Sequence, residues 1–342
     1  MSALTDMLRD GGELGEKLVR RLGVLEDQLQ DSVRVGDVVV DTATSHLAAA
    51  GGKRLRPILC MMAAELGPEP DLQAVYDSAL VVELTHLASL YHDDVIDEAP
   101  LRRGVPSAQN LYGNAAAIMA GDVLFARASG IVAKLGPRAV LMHATTFERL
   151  CVGELHETVG PREGDDPIEH YIQVLADKTG SLIAASARYG VLAAKGDEAT
   201  ADAVARYGEA VGVAFQIADD VIDLVSDPEV TGKTPGTDLL EGVDTMPTLL
   251  LRQDAAAAGE SFSEVDPKGA EILALLDGGH LAEGDNLQRA VALLREHPVL
   301  DRTRDLAFEW ADRAVEELDA VEAGEVRTAF EMFAKAMVDR LS

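Results

Sequence analysis

Cysteine is nearly absent from this chain of 342 residues: Cys60 and Cys151 are its only two, far apart and without metal-ligand spacing. That excludes a disulfide framework and a cysteine-held zinc site, and it fits a reducing, cytoplasmic compartment. Aromatic residues are scarce at 4%, while apolar residues, mostly Ala, Leu and Val, reach 47%. This composition argues against a β-sandwich and for closely packed helices. Positive charge is also in short supply, with 30 basic against 59 acidic side chains and a net charge of -29. Such a field repels nucleic acid and anionic membrane surfaces, although screening limits its reach to about 8 Å at physiological salt. Any bound anion therefore needs cations concentrated locally. No stretch reads as the ~18 apolar residues of a membrane span, and the first residues mix acids and bases without the apolar core of a signal peptide.

What is present is helical periodicity. Apolar residues recur at helical spacing from Met1 to about Gln30, and a second run precedes Gly51 and Gly52. Segments near 57–66, 74–97, 107–134, 137–159, 167–195, 199–226 and 244–253 each carry a 3.6-residue period, separated by Gly, Pro or Asp clusters. The expectation is an all-α bundle of ten or more helices forming a single domain over residues 1–342. Residues 254–287, rich in Gly and acids, read as a surface excursion of that domain.

One internal echo stands out. Asp-Asp-Val-Ile-Asp occurs at 93–97 and again at 219–223, each time closing an apolar helical stretch. On a helix, Asp93 shares a face with Asp97, and Asp219 with Asp223, while Asp94 and Asp220 turn away by about 100°. Clustered carboxylates repel unless a cation sits between them, and magnesium accepts one or two carboxylates while keeping positions for water and phosphate oxygens. Two facing clusters would clamp a diphosphate through bridging metals. A single such motif is equally a solvated helix end; two copies on apolar helices are harder to explain that way. Asp227 and Pro228 follow the second copy and read as ordinary helix termination.

The few basic residues also cluster. Lys53, Arg54 and Arg56 lie in GGKRLRP, and Arg102 and Arg103 in LRRG, just after the first acidic motif. All five are candidate diphosphate clamps, because glycine lets the backbone approach an anion and arginine forks donate paired hydrogen bonds to phosphate. His86 lies two turns before Asp93 on the same face, whereas His92 points about 100° away. Lys178 and Thr179 interrupt an apolar helix, Gln216 sits one turn before Asp220, and Lys233 lies in the loop after the second motif.

GGKRLRP, HLASLYHDDVIDEAPLRRG, GDVLFARA, KTGSL and GVAFQIADDVIDLVSDPEVTGKTPGTDLLEG, in that order over about residues 45–250, resemble the trans-polyprenyl diphosphate synthase family. The resemblance implies a helical bundle around a deep central cavity, usually in a homodimer, and magnesium with three ions per site. It implies that Asp93, Asp94 and Asp97 hold metal against the allylic diphosphate, with Asp219, Asp220 and Asp223 opposite. Lys53, Arg56, His86 and Arg103 would bind isopentenyl diphosphate; Arg102, Lys178, Thr179, Gln216 and Lys233 would serve the allylic side, a farnesyl or geranylgeranyl diphosphate. Lys178 and the aspartates Asp93, Asp94, Asp97, Asp219 and Asp220 would carry the chemistry. One departure is that Val243 and Asp244 follow Gly242, where many members carry a Gly-Lys pair; Lys178 and Lys233 are expected to suffice.

The implied reaction is repeated condensation of isopentenyl diphosphate onto an allylic diphosphate. Small residues at Ala88 and Ser89, five and four positions before Asp93, imply an open channel and a product of eight or nine units. Such products supply quinone side chains, and the Arg-rich, Lys-poor sequence points to menaquinone, with weak membrane association through the product alone. The rivals are a geranylgeranyl diphosphate synthase, a class I terpene cyclase and a non-catalytic partner subunit. A cyclase needs no isopentenyl diphosphate site, and a partner subunit typically loses aspartates that are all intact here.

Overall fold

The computed structural model describes residues 11–226 and 235–339. Within them the chain is helical apart from one two-stranded hairpin. The helices are α1 Gly12–Ser32, α2 Val38–Thr44, α3 His46–Ala49, α4 Leu55–Ala64 and α5 Gln73–Ile96. After the hairpin, β1 Leu101–Arg102 with β2 Val105–Pro106, come α6 Ala108–Tyr112, α7 Asn114–Leu135, α8 Pro137–Val159 and α9 Pro167–Leu175. A π-helical turn, Ala176–Gly180, leads into α10 Ser181–Ala193 and then α11 Glu198–Val225. The remainder is α12 Thr237–Leu240, α13 Met246–Ala258, α14 Phe262–Val265, α15 Pro267–Asp277, α16 Asn286–Arg295, α17 Pro298–Glu316 and α18 Glu325–Val338.

The local chemistry explains the boundaries. Asp166 caps α9 by accepting from the amides of Ile168 and Glu169, and Pro167 supplies the first helical position without a wasted donor. Asp197 caps α11 in the same way through Thr200. Gly113, at φ 84°, divides the expected 107–134 helix into α6 and α7. The expected 167–195 helix is continuous in direction but takes a π turn at 176–180. Most of residues 254–287 lie in helices at the surface, anchored by Phe262 and Ile272, which are buried in the second hydrophobic cluster. That cluster gathers α11, α13, α16 and α17, while the larger one gathers α1, α4, α5, α7 and α10, and Trp310 packs against both.

Close backbone contact between helices is set by glycine. A Cβ on Gly190 of α10 would lie 2.0 Å from the Cys60 carbonyl of α4, so no side chain fits. Gly190→Ala will force the two helices apart and destabilise the protein by roughly 1–3 kcal/mol, the cost of an overpacked core, in an equilibrium urea melt.

The membrane expectation needs one correction. Helix α7, with 22 residues and a window of mean hydropathy 1.5, is long and apolar enough to cross a bilayer by length and composition alone, a test that a core helix of a soluble protein also passes. Sequence reading passed over it because small alanines and glycines dilute its apolar runs.

Candidate active site

Two long helices carry the acidic motifs, and the hairpin and the α3–α4 loop bring the basic ones to them. Asp93 and Asp97 line a cavity of about 470 Å³ together with Lys53, Arg56, His86, Arg102 and Arg103. Lys178, Thr179, Gln216 and Ser89 line the same cavity. Residues more than a hundred positions apart thus meet where the sequence grouped them by chemistry. Cavities of about 790 and 850 Å³ exist elsewhere, so composition rather than size marks this one.

The basic wall is a pre-assembled cation cluster. Arg54 sits in left-handed backbone at φ 52°, an unusual conformation for a residue with a side chain. Its buried guanidinium donates to Glu83 at 2.7 Å, to Glu26 at 2.8 and 2.9 Å, and to the Ala48 carbonyl. Arg54 lines the cavity with Lys53 and Arg56, but its guanidinium is held by two carboxylates and so braces the loop that carries its neighbours. The hairpin turn Arg103-Gly104 has both residues at positive φ, the signature of a type I′ turn. That turn lets Arg103 donate to the Leu47 and Gly51 carbonyls. A Cβ on Gly52 would lie 3.0 Å from the Arg103 and Arg54 guanidiniums, so a side chain there would have to displace them.

Electrostatics shows what this wall lacks. Burial brings the Arg56 guanidinium down to about 10, and its Nε is buried with no partner. Burial lowers Arg103 as well, with Arg54 and Arg102 adding repulsion against the pull of Glu83. His86 is held well below the ordinary imidazole range by burial and then by Arg56, Arg103, Arg102 and Arg54, so it is neutral at pH 7. Such a cluster is stabilised by an anion in its midst.

The acidic side is the mirror image. Burial, reinforced by Glu154, pushes the Asp93 carboxyl up to about 7, and burial also raises Asp94 and Asp97. Asp94 is fully buried beside the cavity, where its Oδ1 accepts from Arg102 Nε at 2.6 Å and its Oδ2 has no partner. Asp220 is turned into the helix packing. It accepts from the Tyr171 hydroxyl at 3.0 Å and from the Met246 amide at 3.1 Å, tying α11 to α9 and to the start of α13. Burial raises it well above the ordinary carboxylate range. Asp219 and Asp223 follow the cavity-lining Gln216 at i+3 and i+7, on the same helical face. Among the described residues, no three His, Cys, Asp or Glu side chains are already drawn to metal-holding spacing. Lys233, with Asp227 and Pro228, lies outside the described residues.

Two groups of functional neighbours escaped sequence reading. Glu154 and Glu157 of α8 hold the Lys178 ammonium, Glu154 at 2.9 Å; burial opposes its charge, but the two carboxylates prevail and raise its pKa. Their i, i+3 spacing was the available signal. Glu83, a buried acid within the apolar run VVELTHL, was the signal for the Arg54 clamp. His92 faces α7, 3.2 Å from the Ile118 carbonyl and 3.4 Å from Asp122, and Gly121 is glycine because a Cβ would lie 2.4 Å from that imidazole. Ser89 lines the cavity, whereas Ala88 is 1% exposed within the main core. Val243 and Asp244 line the 850 Å³ cavity that adjoins Asp97, and Asp244 accepts from Arg252 at 2.9 Å.

A helical bundle in which one cavity sets raised carboxylates against a wall of arginines defines a class of protein suited to holding an anion together with cations. The Polyprenyl synthetase family model matches residues 37–268, and the chain belongs to that family and is a prenyltransferase. Among its relatives, the nonaprenyl diphosphate synthase of Mycobacterium tuberculosis is 42% identical over 313 residues, covering 90% of each chain. The polyprenyl synthase of Caulobacter crescentus, crystallised with calcium and isoprenyl diphosphate, superposes with a TM-score of 0.85 at 31% identity, over 96% of this chain and 97% of that one. The geranylgeranyl pyrophosphate synthase of Corynebacterium glutamicum, also with calcium and isoprenyl diphosphate, gives 0.81 at 37% identity, over 96% and 98%.

Proposed function

We propose that this enzyme is an all-trans-polyprenyl diphosphate synthase that condenses isopentenyl diphosphate repeatedly onto an allylic primer such as farnesyl diphosphate, reaching a product of about eight or nine units for quinone side chains. The observation that carries the reading is the cavity itself: a buried, partnerless Arg56 Nε among repelling cations faces carboxylates that burial has forced toward neutrality. Both walls are relieved by one ligand set, a diphosphate with divalent cations.

The donors fit magnesium, since they are carboxylate oxygens and the orphaned Asp94 Oδ2 has capacity to spare. Asp93, Asp94 and Asp97 would hold it, with Asp219, Asp220 and Asp223 opposite, and when bound it supplies charge neutralisation of the departing diphosphate. Arg102, Lys178, Thr179 and Gln216 orient that allylic diphosphate, with Lys233 closing from its loop. Lys53, Arg56, Arg103 and neutral His86 hold isopentenyl diphosphate with its double bond toward the allylic carbon. The protein keeps water from the cation that forms there, and proton loss restores an allylic diphosphate for the next round. Arg54→Lys keeps the charge but loses the fork, and is expected to raise KM for isopentenyl diphosphate about tenfold, the worth of one charge-assisted hydrogen bond of about 1.5 kcal/mol, while KM for the allylic primer holds.

A homodimer is supported by the face that α7 and α8 leave bare. Only a third of the apolar α7 window is covered, and on α8 Leu141, Leu155 and Val159 are 69%, 62% and 78% exposed. A second copy of the same face would bury it as an isologous pair. Leu155→Glu is expected to shift the protein from dimer to monomer in sedimentation velocity; a parent already monomeric at micromolar concentration would refute the assembly.

The deciding assay gives the purified chain magnesium, labelled isopentenyl diphosphate and farnesyl diphosphate, and resolves dephosphorylated products by length. A ladder ending near eight or nine units supports the reading. A stop at four makes the protein a geranylgeranyl diphosphate synthase, a cyclised primer makes it a terpene cyclase, and no incorporation makes it a partner subunit.

A further inference from the structure

We infer a second anion site behind the catalytic cavity, on the far side of the π turn, that takes an amphiphilic phosphate of the prenyl phosphate kind and lowers the rate of elongation. An open cavity of about 790 Å³ lies between α8, α10, α11 and α17. That volume lies within the roughly 300–1,000 Å³ of small-molecule pockets. Five arginines line it, Arg138, Arg149, Arg188, Arg206 and Arg313, against three carboxylates, Glu209, Glu316 and Glu317. Five arginines around one cavity are a local concentration of cations in a chain with a net charge of -29, although Glu198, Asp202, Asp177 and Glu309 also stand beside them and pair with them. Between the arginines lie apolar side chains, among them Met142, Ala184, Ala185 and Trp310.

The arginines are not equally committed. Arg138 and Arg188 share Glu198, Arg188 also meets Asp202 at 2.9 Å across a half-exposed pair, and Arg206 pairs with Glu317 at 2.6 Å with both side chains more than a third exposed. Arg313 stacks on Trp310 at 4.8 Å and pairs loosely with Glu309 at 4.0 Å. Exposed ion pairs are worth about 1 kcal/mol or less, so a phosphate can exchange for these carboxylates at little cost. An apolar floor beneath movable guanidiniums suits an anion with a hydrocarbon tail better than a bare anion.

The link to the reaction is Arg149. It lines this cavity, yet its Nε donates to Asp177 at 2.6 Å and its Nη1 to Glu209 at 2.6 Å. Asp177 is the π-turn residue immediately before Lys178, and Ser181, another lining residue, donates to its carbonyl at 2.6 Å. Gly153 of α8 presses on the same turn, where a Cβ would lie 2.7 Å from the Lys178 amide. A phosphate that draws Arg149 outward releases Asp177 and with it the placement of Lys178 and Thr179 in the catalytic cavity. This coupling rests on the proposed role of Lys178; the existence of the site does not.

Trp310 is the only tryptophan, so its fluorescence reports on this cavity without labelling. The full-length protein with magnesium is titrated with farnesyl monophosphate. The expected result is a saturable Trp310 change, persisting in Lys178→Ala and weakened at least tenfold in Arg188→Ala/Arg206→Ala, a variant whose elongation without the additive matches the parent and so proves its fold. Farnesyl monophosphate will also lower kcat in the parent without a matching rise in KM, and will not do so in the double variant. No saturable change, or one that the arginine substitutions leave intact, overturns the site; an equal response to inorganic diphosphate overturns the role of the tail. Binding without loss of kcat overturns the coupling alone, and Lys178→Ala with parental elongation would fault the role of Lys178 while leaving the site standing.

Discussion

Asp93→Asn reduces elongation to about a thousandth of the parent rate, because it removes a preorganised charge from the site where the leaving group is stabilised. The same substitution relieves the metal-free protein of a buried charge. Burial and Glu154 push the Asp93 carboxyl up to about 7, so the folded state holds its proton more tightly than the unfolded chain does. For a group raised in this way, the stability it contributes is fully present below the ordinary carboxylate range and is lost as pH rises through about 7. Melting temperatures in a chelator at pH 5 and pH 8 will therefore differ more in the parent than in Asp93→Asn, and the difference of differences isolates this carboxyl from Asp94, Asp97 and Asp220. Magnesium at pH 8 will stabilise the parent more than the variant. Parental elongation in Asp93→Asn would remove that residue from the site.

Ser89→Phe shortens the product by several isoprene units. Ser89 lies one helical turn before Asp93 and lines the cavity, donating its hydroxyl to the His86 carbonyl at 2.9 Å, so a phenyl ring there projects into the path of the growing chain. Ala88→Phe is expected to shorten it too, but Ala88 is buried in the main core beside α7, where Gly121 approaches its carbonyl. Overpacking there costs roughly 1–3 kcal/mol, so a loss of product in that variant mixes two causes. Ser89→Phe separates them: its melting temperature will stay near the parent's while the longest dephosphorylated product falls. An unchanged ladder in both variants would show that this turn of α5 does not limit chain length.

Much of the site was legible because its chemistry is repetitive and local. The first pentapeptide and the two basic clusters, in an otherwise acidic chain, mark the walls of the 470 Å³ cavity, while the helix of the second pentapeptide enters its lining through Gln216, one turn before the motif. Helical periodicity gave the elements, and the pairing of Asp93 with Asp97 on one face follows from 3.6 residues per turn. The π turn was not legible, since no residue type encodes the extra residue per turn, and neither was the hairpin, whose strands of two residues are too short to show alternation. The exposed apolar face of α7 was hidden by the small residues that compose it.

The sequence alone determined the helical class, the carboxylate pairs and the cation-rich segments, because composition and i, i+4 spacing fix which groups share a face. Only the tertiary structure decided how each charge is used: that Arg54 braces a loop through Glu83 and Glu26, that Asp220 ties three helices through Tyr171 and Met246, and that Glu154 and Glu157 hold Lys178. A charged side chain looks the same in sequence whether it serves a ligand or the fold; burial and the partner it meets across the bundle make the difference, and both depend on residues far away along the chain.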